Sequence, residues 1–319
     1  MKKIALGRSD IEISAIVMGC WQAGKQMWSG IDDHQIVKAL HAAVDSGITT
    51  FDTAASYGSG LSETRVGDLL TGIRQKMVIA TKVSPGHLGR LDVMAACEDS
   101  LRRLKTDYID LYQIHWPSGS WRDEPIPVEE TLSAMDQLKT QGKIRAIGVS
   151  NFSRAQLEEA VSITRIDAVQ PPYSLLWPHA LDAIAPVCTD NAITVLAYSP
   201  MAQGLLSGRF LPGHRFGKKD HRKRNKLVSP TFFPLVADVV RRLSPVADAH
   251  GLTCAQLALA WVISRPGTAA IAGARSPDQV RENADAGRVE LTEATRIALA
   301  ELAVPVTGKL DSNPVQWTY

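Results

Sequence analysis

Short apolar segments alternate with segments of helical periodicity along most of the chain. Eight of the short segments are rich in β-branched residues and apolar at successive positions, as buried parallel strands are. They cover residues 15–19, 49–54, 77–82, 109–115, 144–150, 166–170, 193–198 and 269–273. The segments between them repeat apolar residues at steps of three and four, which predicts amphipathic helices. The pattern therefore predicts a strand–helix unit repeated eight times.

Three of the predicted helices have recognisable start signals. A hydroxyl residue followed three positions later by Gln is the spacing of a capping box. It occurs at Ser153 and Gln156, at Thr253 and Gln256, and at Ser276 and Gln279. We expect helices to begin directly after Ser153, Thr253 and Ser276.

Eight strand–helix units allow a (β/α)₈ barrel or a long, doubly wound sheet. A span of about 270 residues for all eight units fits the usual size of the barrel. No linker rich in Pro, Gly or Ser divides the chain. We therefore predict one domain over residues 1–319 with the α/β fold of a TIM barrel. Residues 3–6 and 11–14 are predicted to form a short hairpin that closes the barrel floor.

The composition is that of a globular protein, with 45% hydrophobic and 21% charged residues. A formal net charge of +2 gives no indication of a nucleic-acid partner. The four cysteines, which lie far apart among apolar neighbours, predict buried free thiols in a reducing compartment; they are Cys20, Cys97, Cys188 and Cys254. The apolar stretch near the start is too short for a signal peptide, and no segment has the composition of a membrane span. We expect a soluble cytoplasmic protein, and the pattern indicates no particular oligomeric state.

Two glycine-rich segments resemble nucleotide-binding loops, but each lacks an essential residue. Residues 19–26 nearly match a P-loop, yet Gln26 stands where Ser or Thr would hold magnesium. Residues 58–63 nearly match a dinucleotide fingerprint, yet Glu63 stands where the third glycine belongs. Neither segment predicts a phosphate site by itself.

Polar residues interrupt the apolar strands near their carboxyl ends, and this is the strongest functional signal. They are Asp52, Lys82, His115, Ser150, Gln170 and Tyr198, with Tyr57 just beyond the second strand. In a (β/α)₈ barrel these ends share one face, where the loops build the active site. We therefore expect these side chains to lie together.

Four of these residues suit the protonation of a carbonyl oxygen. A buried Lys82 needs a charge partner, and Asp52 is available. An ammonium beside Tyr57 is expected to lower the pKa of that phenol, which would make it a general acid. His115 could hydrogen-bond the same oxygen. The set contains neither a Ser/His/Asp triad nor a convincing set of metal ligands.

Six segments in chain order resemble the aldo-keto reductase family, in particular its bacterial branch related to potassium-channel β-subunits. The segments are FDTAASYG (51–58), ATK (80–82), DYIDLYQIHW (107–116), KIRAIGVSNF (143–152), AYSP (197–200) and GARSPDQVREN (273–283). The resemblance implies a barrel that binds a nicotinamide dinucleotide across its mouth. It also implies that Tyr57 is the proton donor, that Lys82 and Asp52 tune its pKa, and that His115 orients the carbonyl.

The same resemblance implies a set of cofactor contacts. Ser150, Asn151 and Gln170 would hold the carboxamide, and Tyr198 would stack on the nicotinamide. The remaining implied contacts are Gly19, Cys20, Trp21, Gln26, Asp52, Ser199, Pro200, Met201, Gly204, Leu205, Arg209, Arg222, Gly273, Arg275, Gln279, Glu282 and Asn283. Trp21 and Trp116 are expected to wall the substrate pocket together with Tyr57 and His115.

The charge pattern bears on which cofactor binds. Arg275 favours NADPH over NADH, because a guanidinium pairs well with a 2′-phosphate; a solvated helix-start Arg is the alternative. Residues 208–226 contain eight Lys or Arg and one acid. This stretch is either a solvated loop or a lid in which Arg209 and Arg222 cover the pyrophosphate.

The expected activity is NADPH-dependent reduction of a small aldehyde or ketone to an alcohol. The alternative is an NADPH-binding sensor with little turnover, as in the channel β-subunits. Neither function calls for a nucleic acid or a membrane as partner.

Overall fold

Eight parallel strands close into a barrel in the computed structural model, which describes residues 1–25, 30–121, 124–210, 213–217 and 220–311. Each strand pairs with the next along the chain, and the last pairs with the first. The barrel strands are β3 (Ile16–Gly19), β4 (Thr50–Asp52), β5 (Val78–Val83), β6 (Ile109–Ile114), β7 (Ile144–Ser150), β8 (Ala168–Gln170), β9 (Thr194–Tyr198) and β10 (Thr268–Gly273). The predicted (β/α)₈ barrel is confirmed, and each observed strand overlaps a predicted one.

Helices lie between successive strands and pack around the barrel. They are α1 (Asp33–Asp45), α2 (Leu61–Leu69), α3 (Arg90–Leu104), α4 (Val128–Thr140), α5 (Arg154–Ile163), α6 (His179–Asn191), α7 (Phe233–Ala249), α8 (Cys254–Ile263), α9 (Pro277–Ala286) and α10 (Glu293–Thr307). Helices α7 and α10 are additional to the alternation and pack against each other.

In the part of the chain that the structure describes, no single helix is long and apolar enough to cross a membrane. Helices α7 and α8 pass that test only as a pair, bent by 86°.

The N-terminal hairpin closes one end of the barrel, as predicted. Strands β1 (Lys3–Ala5) and β2 (Glu12–Ser14) pair antiparallel. The buried side chains of Leu6, Ile11 and Ile13 pack against the residues that fill the barrel interior. The backbone N–H of Gly7 donates to the hydroxyl of Thr194, the first residue of β9, at 2.7 Å. The hairpin therefore lies at the amino ends of the strands and leaves the carboxyl ends open.

Strand periodicity fixes which side chains point into the barrel. The interior cluster contains Ala80 of β5, Leu111 of β6 and Ala168 of β8. Because side chains alternate along a strand, the residues two positions further on also point inward. Lys82 lies two positions after Ala80, and Gln170 two after Ala168. The polar residues therefore form a layer above the apolar filling of the barrel.

Two of the three predicted capping boxes form completely, at Ser153 and at Thr253. At Ser276 the hydroxyl accepts from the backbone N–H of Gln279, but the Gln279 side chain turns to Arg275 and accepts from its backbone N–H at 2.8 Å. The third box is therefore only half formed. Its glutamine holds Arg275, two residues before the helix, and Arg275 lines the site described below.

All four cysteines are free thiols. Cys97 and Cys188 are buried, and burial raises the pKa of Cys97 to about 12 and that of Cys188 to about 11. Cys20 is also buried, and burial raises its pKa further. Burial is confirmed for these three, whereas Cys254 is half-buried.

Candidate active site

The carboxyl ends of the barrel strands surround a cavity of about 560 Å³. Six of the seven polar residues predicted at these ends line it, namely Asp52, Tyr57, His115, Ser150, Gln170 and Tyr198. The seventh, Lys82, is fully buried, pairs with Asp52 and lies beneath the Tyr57 ring. The structure thus brings the predicted set together.

Lys82 and Asp52 form a buried ion pair. The Lys82 ammonium donates to Oδ1 of Asp52 at 2.7 Å and to the backbone carbonyl of Thr53 at 2.8 Å. Burial by itself would lower the pKa of Lys82, but Asp52 and Tyr57 outweigh it, so that pKa lies above its usual value. Lys82 is therefore a fixed positive charge beneath the cavity.

Tyr57 sits on a tight loop directly above that charge. Its backbone N–H donates to the carbonyl of Ala54 at 3.0 Å and closes the turn after β4. The next residue, Gly58, has φ +65°, and a Cβ there would come within 2.2 Å of the Gly24 carbonyl oxygen. Glycine is thus required for this loop to pack closely. Nζ of Lys82 lies 5.1 Å from the centroid of the Tyr57 ring.

The pKa of Tyr57 does not shift in the direction expected from the sequence. Burial raises it, Lys82 lowers it by a smaller amount, and Asp52 raises it, so the net shift is upward. The sequence showed the neighbouring ammonium but not the desolvation of the phenol or the nearness of Asp52. Tyr57 is therefore a phenol rather than a phenolate at neutral pH, and it holds a proton that it can donate.

His115 completes the group around the Tyr57 ring. The two rings meet edge to face, with centroids 5.7 Å apart. Burial, and then the charge of Lys82, hold the pKa of His115 well below its usual value. The imidazole is neutral at neutral pH, and its Nδ1 lies 3.3 Å from the hydroxyl oxygen of Ser56.

Two buried glutamines, Gln113 on β6 and Gln170 on β8, connect the ion pair to these strands. Nε2 of Gln170 donates to Oδ2 of Asp52 at 2.8 Å and to Oε1 of Gln113 at 3.3 Å. Because a carboxylate has only acceptor atoms, the amide group that faces Asp52 must be the NH₂ of Gln170. The carbonyl oxygen of Gln170 is then the atom left for a ligand, and Gln170 lines the cavity. Gln113 was not named from the sequence, although it too interrupts an apolar strand.

Three polar side chains on the next strands are bound to one another. The Ser150 hydroxyl donates to the backbone carbonyl of Gln170 at 2.8 Å and accepts from Nδ2 of Asn151 at 3.0 Å. The Tyr198 hydroxyl donates to Oδ1 of Asn151 at 2.8 Å. This chain fixes the orientation of the Asn151 amide, so the neutral polar side of the cavity is preorganised.

Guanidinium groups gather at the other end of the cavity. Asp220 and Arg222 are buried, and the Asp220 carboxylate accepts from Nε and Nη2 of Arg222 at 2.9 and 2.6 Å. The guanidinium carbon of Arg222 lies 5.0 Å from the ring centroid of Phe210 and 4.7 Å from that of Phe216. Within the described part of the basic stretch, Arg222 thus packs on other residues of the stretch and is not a solvated side chain.

Arg209 and Arg275 complete the positive end. The Arg209 guanidinium lies 3.5 Å from the carboxylate of Glu282 on α9. Burial, followed by repulsion from Arg222, lowers the pKa of Arg275, with Arg209 adding to the effect. Arg209, Arg222 and Arg275 all line the cavity. This end therefore has an excess of positive charge that an anion would neutralise.

The structure also places the other predicted contacts. Most of them line the cavity, including Gly19, Cys20, Trp21, Trp116, Ser199, Pro200, Met201, Gly204, Gly273, Gln279, Glu282 and Asn283. The Leu205 side chain is buried and does not line it, and Gln26 lies outside the described residues.

Several residues that line the cavity were not predicted. They include Gln22, Ser56, Trp121, Gln203, Ser207, Phe210 and Arg224. All of them lie outside the barrel strands, where sequence periodicity gives no position. Gln22 belongs to the glycine-rich segment that was set aside as an incomplete P-loop; a Cβ on Gly273 would lie 2.5 Å from its side-chain oxygen.

The fold and the cavity define the class of protein, a (β/α)₈ barrel with its site at the carboxyl ends of the strands. Residues 15–303 match the model of the Aldo/keto reductase family, and the chain belongs to this family.

Individual relatives match over nearly their whole length. The chain is 36% identical over 292 residues to aldo-keto reductase YhdN of Bacillus subtilis, covering 88% of this chain and 87% of that protein. It is 33% identical over 336 residues to the NADH-specific methylglyoxal reductase of Escherichia coli, covering 95% and 98%. A crystal structure of an aldo-keto reductase from Klebsiella pneumoniae in complex with NADPH covers both chains fully, with a TM-score of 0.76 and 30% identity.

Proposed function

We propose that this protein reduces an aldehyde or ketone to an alcohol with NADPH, and that Tyr57 is the general acid. The observation that carries the proposal is the array at the barrel mouth. A protonated Tyr57 lies against the fixed charge of Lys82 and in edge contact with His115, on the wall of the cavity. This arrangement suits proton donation to an oxygen that gains negative charge.

The residues around the cavity fit a nicotinamide dinucleotide at both of its ends. The neutral polar side, with Ser150, Asn151 and Gln170, offers amide and hydroxyl groups to a carboxamide. The opposite end offers guanidinium groups and the amino end of α9, and both attract phosphate.

Tyr198 would stack on the nicotinamide ring. Backbone groups of Ser199, Met201, Gly204 and Leu205 would approach the pyrophosphate, and Gln279, Glu282 and Asn283 would meet the adenosine.

A nicotinamide cofactor bound there would supply the hydride for the carbonyl carbon. As the carbonyl oxygen gains negative charge, the Tyr57 hydroxyl gives it a proton. The positive charge of Lys82, 5.1 Å from the ring centroid, stabilises the phenolate that is left. Neutral His115 can donate a hydrogen bond to the same oxygen and hold it towards Tyr57. Asp52 keeps Lys82 charged and in place.

NADPH is the proposed cofactor because Arg275, whose guanidinium would bind a 2′-phosphate, lines the same end of the cavity as Arg209 and Arg222. The relatives differ on this point. The Escherichia coli reductase is named NADH-specific, whereas the Klebsiella pneumoniae protein was crystallised with NADPH. Arg275 is the residue we expect to set the preference, since a guanidinium binds phosphate through two hydrogen bonds.

The substrate is proposed to be a small carbonyl compound. One relative is a methylglyoxal reductase by name, so methylglyoxal is the first compound to test. Trp21 and Trp116, and also Trp121, line the cavity with Tyr57 and His115 and offer it apolar walls. Aromatic aldehydes are therefore the second group to test.

The test is the loss of NADPH absorbance with these carbonyls, for the wild type and for Tyr57→Phe. We expect the variant to bind NADPH like the wild type and to lose about 10²–10⁴-fold in kcat, the usual contribution of a general acid. Tyr108→Phe is the matched control, because Tyr108 stacks on Arg74 near the amino end of β6.

Two results would contradict the proposal. If Tyr57→Phe retained the wild-type kcat, another group would be the acid. If both proteins bound NADPH and neither reduced any carbonyl, the sensor function with little turnover would replace the enzyme.

A further inference from the structure

Ser56 has a contact with His115 that has no part in the proposed mechanism. Its hydroxyl oxygen lies 3.3 Å from Nδ1 of the imidazole, and both residues line the cavity. Among the described residues, the His115 ring makes one hydrogen bond, through Nδ1. Its Nε2 has no hydrogen-bond partner among those residues. Nε2 is thus the ring nitrogen left for a substrate.

Both partners are held by their backbones. The turn that carries Ser56 is closed by the hydrogen bond from Tyr57 N–H to the Ala54 carbonyl. The backbone N–H of His115 donates to Val83 of β5 at 3.0 Å, and its carbonyl accepts from Asn151 at 3.0 Å. The contact between Ser56 and His115 therefore follows from two fixed chain segments, not from a mobile surface side chain.

The protonation state of His115 makes this contact important. Burial and the charge of Lys82 keep the ring neutral at neutral pH. A neutral imidazole has one N–H and one bare nitrogen, and the two tautomers exchange these roles. Only the tautomer with hydrogen on Nε2 can donate to a carbonyl oxygen there. The other tautomer presents a lone pair, which repels that oxygen.

We propose that Ser56 is a positioning residue: its hydroxyl donates to Nδ1 of His115 and holds the proton on Nε2. The proposal rests on the proposed function, because it gives the Nε2 proton its use. Ser56 itself need not touch the substrate. It acts by selecting the imidazole tautomer that can receive a carbonyl.

The test uses Ser56→Thr and Ser56→Val, because threonine and valine have nearly the same shape and differ by one hydroxyl. The first measurement is the ¹⁵N NMR spectrum of histidine-labelled protein without substrate. The His115 signals are assigned by their absence from His115→Asn. We expect the wild type and Ser56→Thr to show a bare Nδ1 and a protonated Nε2. We expect Ser56→Val to show a mixture of tautomers.

The second measurement is kcat/KM for the aldehyde reduced best. We expect Ser56→Val to lose about three- to tenfold, the range that one neutral hydrogen bond accounts for. We expect Ser56→Thr to stay close to the wild type, and the Kd for NADPH to be the same in all three proteins. A merely structural role would affect the two variants alike.

Either of two outcomes overturns the proposal. One is a Ser56→Val spectrum with the wild-type tautomer; the other is a Ser56→Thr protein that loses as much kcat/KM as Ser56→Val. A failure of the proposed function looks different. The wild type would then reduce no carbonyl, while the NMR spectra would still report whether Ser56 selects the tautomer.

Discussion

The two ends of the cavity are built from different parts of the fold. At the catalytic end, Asp52, Lys82 and Gln170 come from three barrel strands and bond to one another at 2.7 and 2.8 Å. At the cationic end, Arg209 and Arg275 come from segments that follow strands. The ion pair at the catalytic end is therefore fixed by strand pairing, whereas the guanidinium groups at the cationic end are fixed by local packing of loops.

This difference determines what each end contributes. Strand register places Asp52 beside Ala80, and Lys82 beside Gln113, so the ion pair is part of the barrel itself. The Arg222 guanidinium instead depends on Asp220 and on two phenylalanine rings of the same segment. We expect changes at the catalytic end to affect stability and turnover together. Replacement of Arg275 at the cationic end should affect cofactor affinity alone.

The largest effect is expected from Lys82→Met. It leaves the buried Asp52 carboxylate without its charge partner, which costs about 3–5 kcal/mol of folding free energy. It also removes the charge beneath Tyr57, and we expect kcat to fall by at least about 10²-fold. Urea unfolding measures the first quantity and NADPH oxidation the second.

Two control variants sharpen this prediction. Lys25 pairs with Asp33 at 2.8 Å, nearly the distance in the buried pair, but both side chains are exposed. Lys25→Met should therefore cost less than about 1 kcal/mol. The double variant Asp52→Asn/Lys82→Met should be more stable than Lys82→Met, because no unpaired charge remains. If the double variant were the less stable, the buried pair would not explain the loss.

The same difference explains what could be predicted from the sequence. The barrel and five of its cavity residues followed from polar positions at strand ends, because strand periodicity carries their places in space. Gln113 has the same signal, since strand register places it beside Lys82, but it was missed. Ser56 and Trp121 lie on loops, whose conformation no periodicity encodes. The direction of the Tyr57 pKa shift depends on burial, and this appears only once the chain is folded.

A smaller effect is expected from Arg275→Ala at the cationic end. Loss of a charge-assisted contact to phosphate should weaken NADPH binding by about 1.5–3 kcal/mol, or roughly 10- to 150-fold in Kd. NADH has no 2′-phosphate, so its Kd should change little. Fluorescence titration with both cofactors, together with urea unfolding, measures affinity and stability in parallel.

The control for Arg275→Ala is Arg281→Ala on α9, the helix that begins two residues after Arg275. Arg281 is exposed and pairs with Asp278 three residues earlier. Its replacement should leave both Kd values unchanged. An equal loss of NADPH and NADH affinity in Arg275→Ala would show that this residue shapes the loop rather than selecting the phosphate.

The smallest effect is expected from pH. Reduction needs protonated Tyr57, whose pKa is raised, so the acid form is lost only as the pH rises through a value above the usual one of about 10. The pKa of His115 is lowered, so the ring gains a proton only as the pH falls well below about 6.5. With NADPH saturating, kcat for reduction should therefore change by less than about twofold between about pH 6.5 and about pH 10.

A change in kcat centred near the ordinary pKa of histidine would contradict the view that the catalytic end is rigid and closed to water. His115→Asn is the control: if the change disappeared in the variant, His115 would be its source. Water would then reach the ring and screen it from Lys82, since both burial and that charge lower its pKa. The catalytic end would be open and adaptable like the cationic end, and strand pairing alone would not account for its preorganisation.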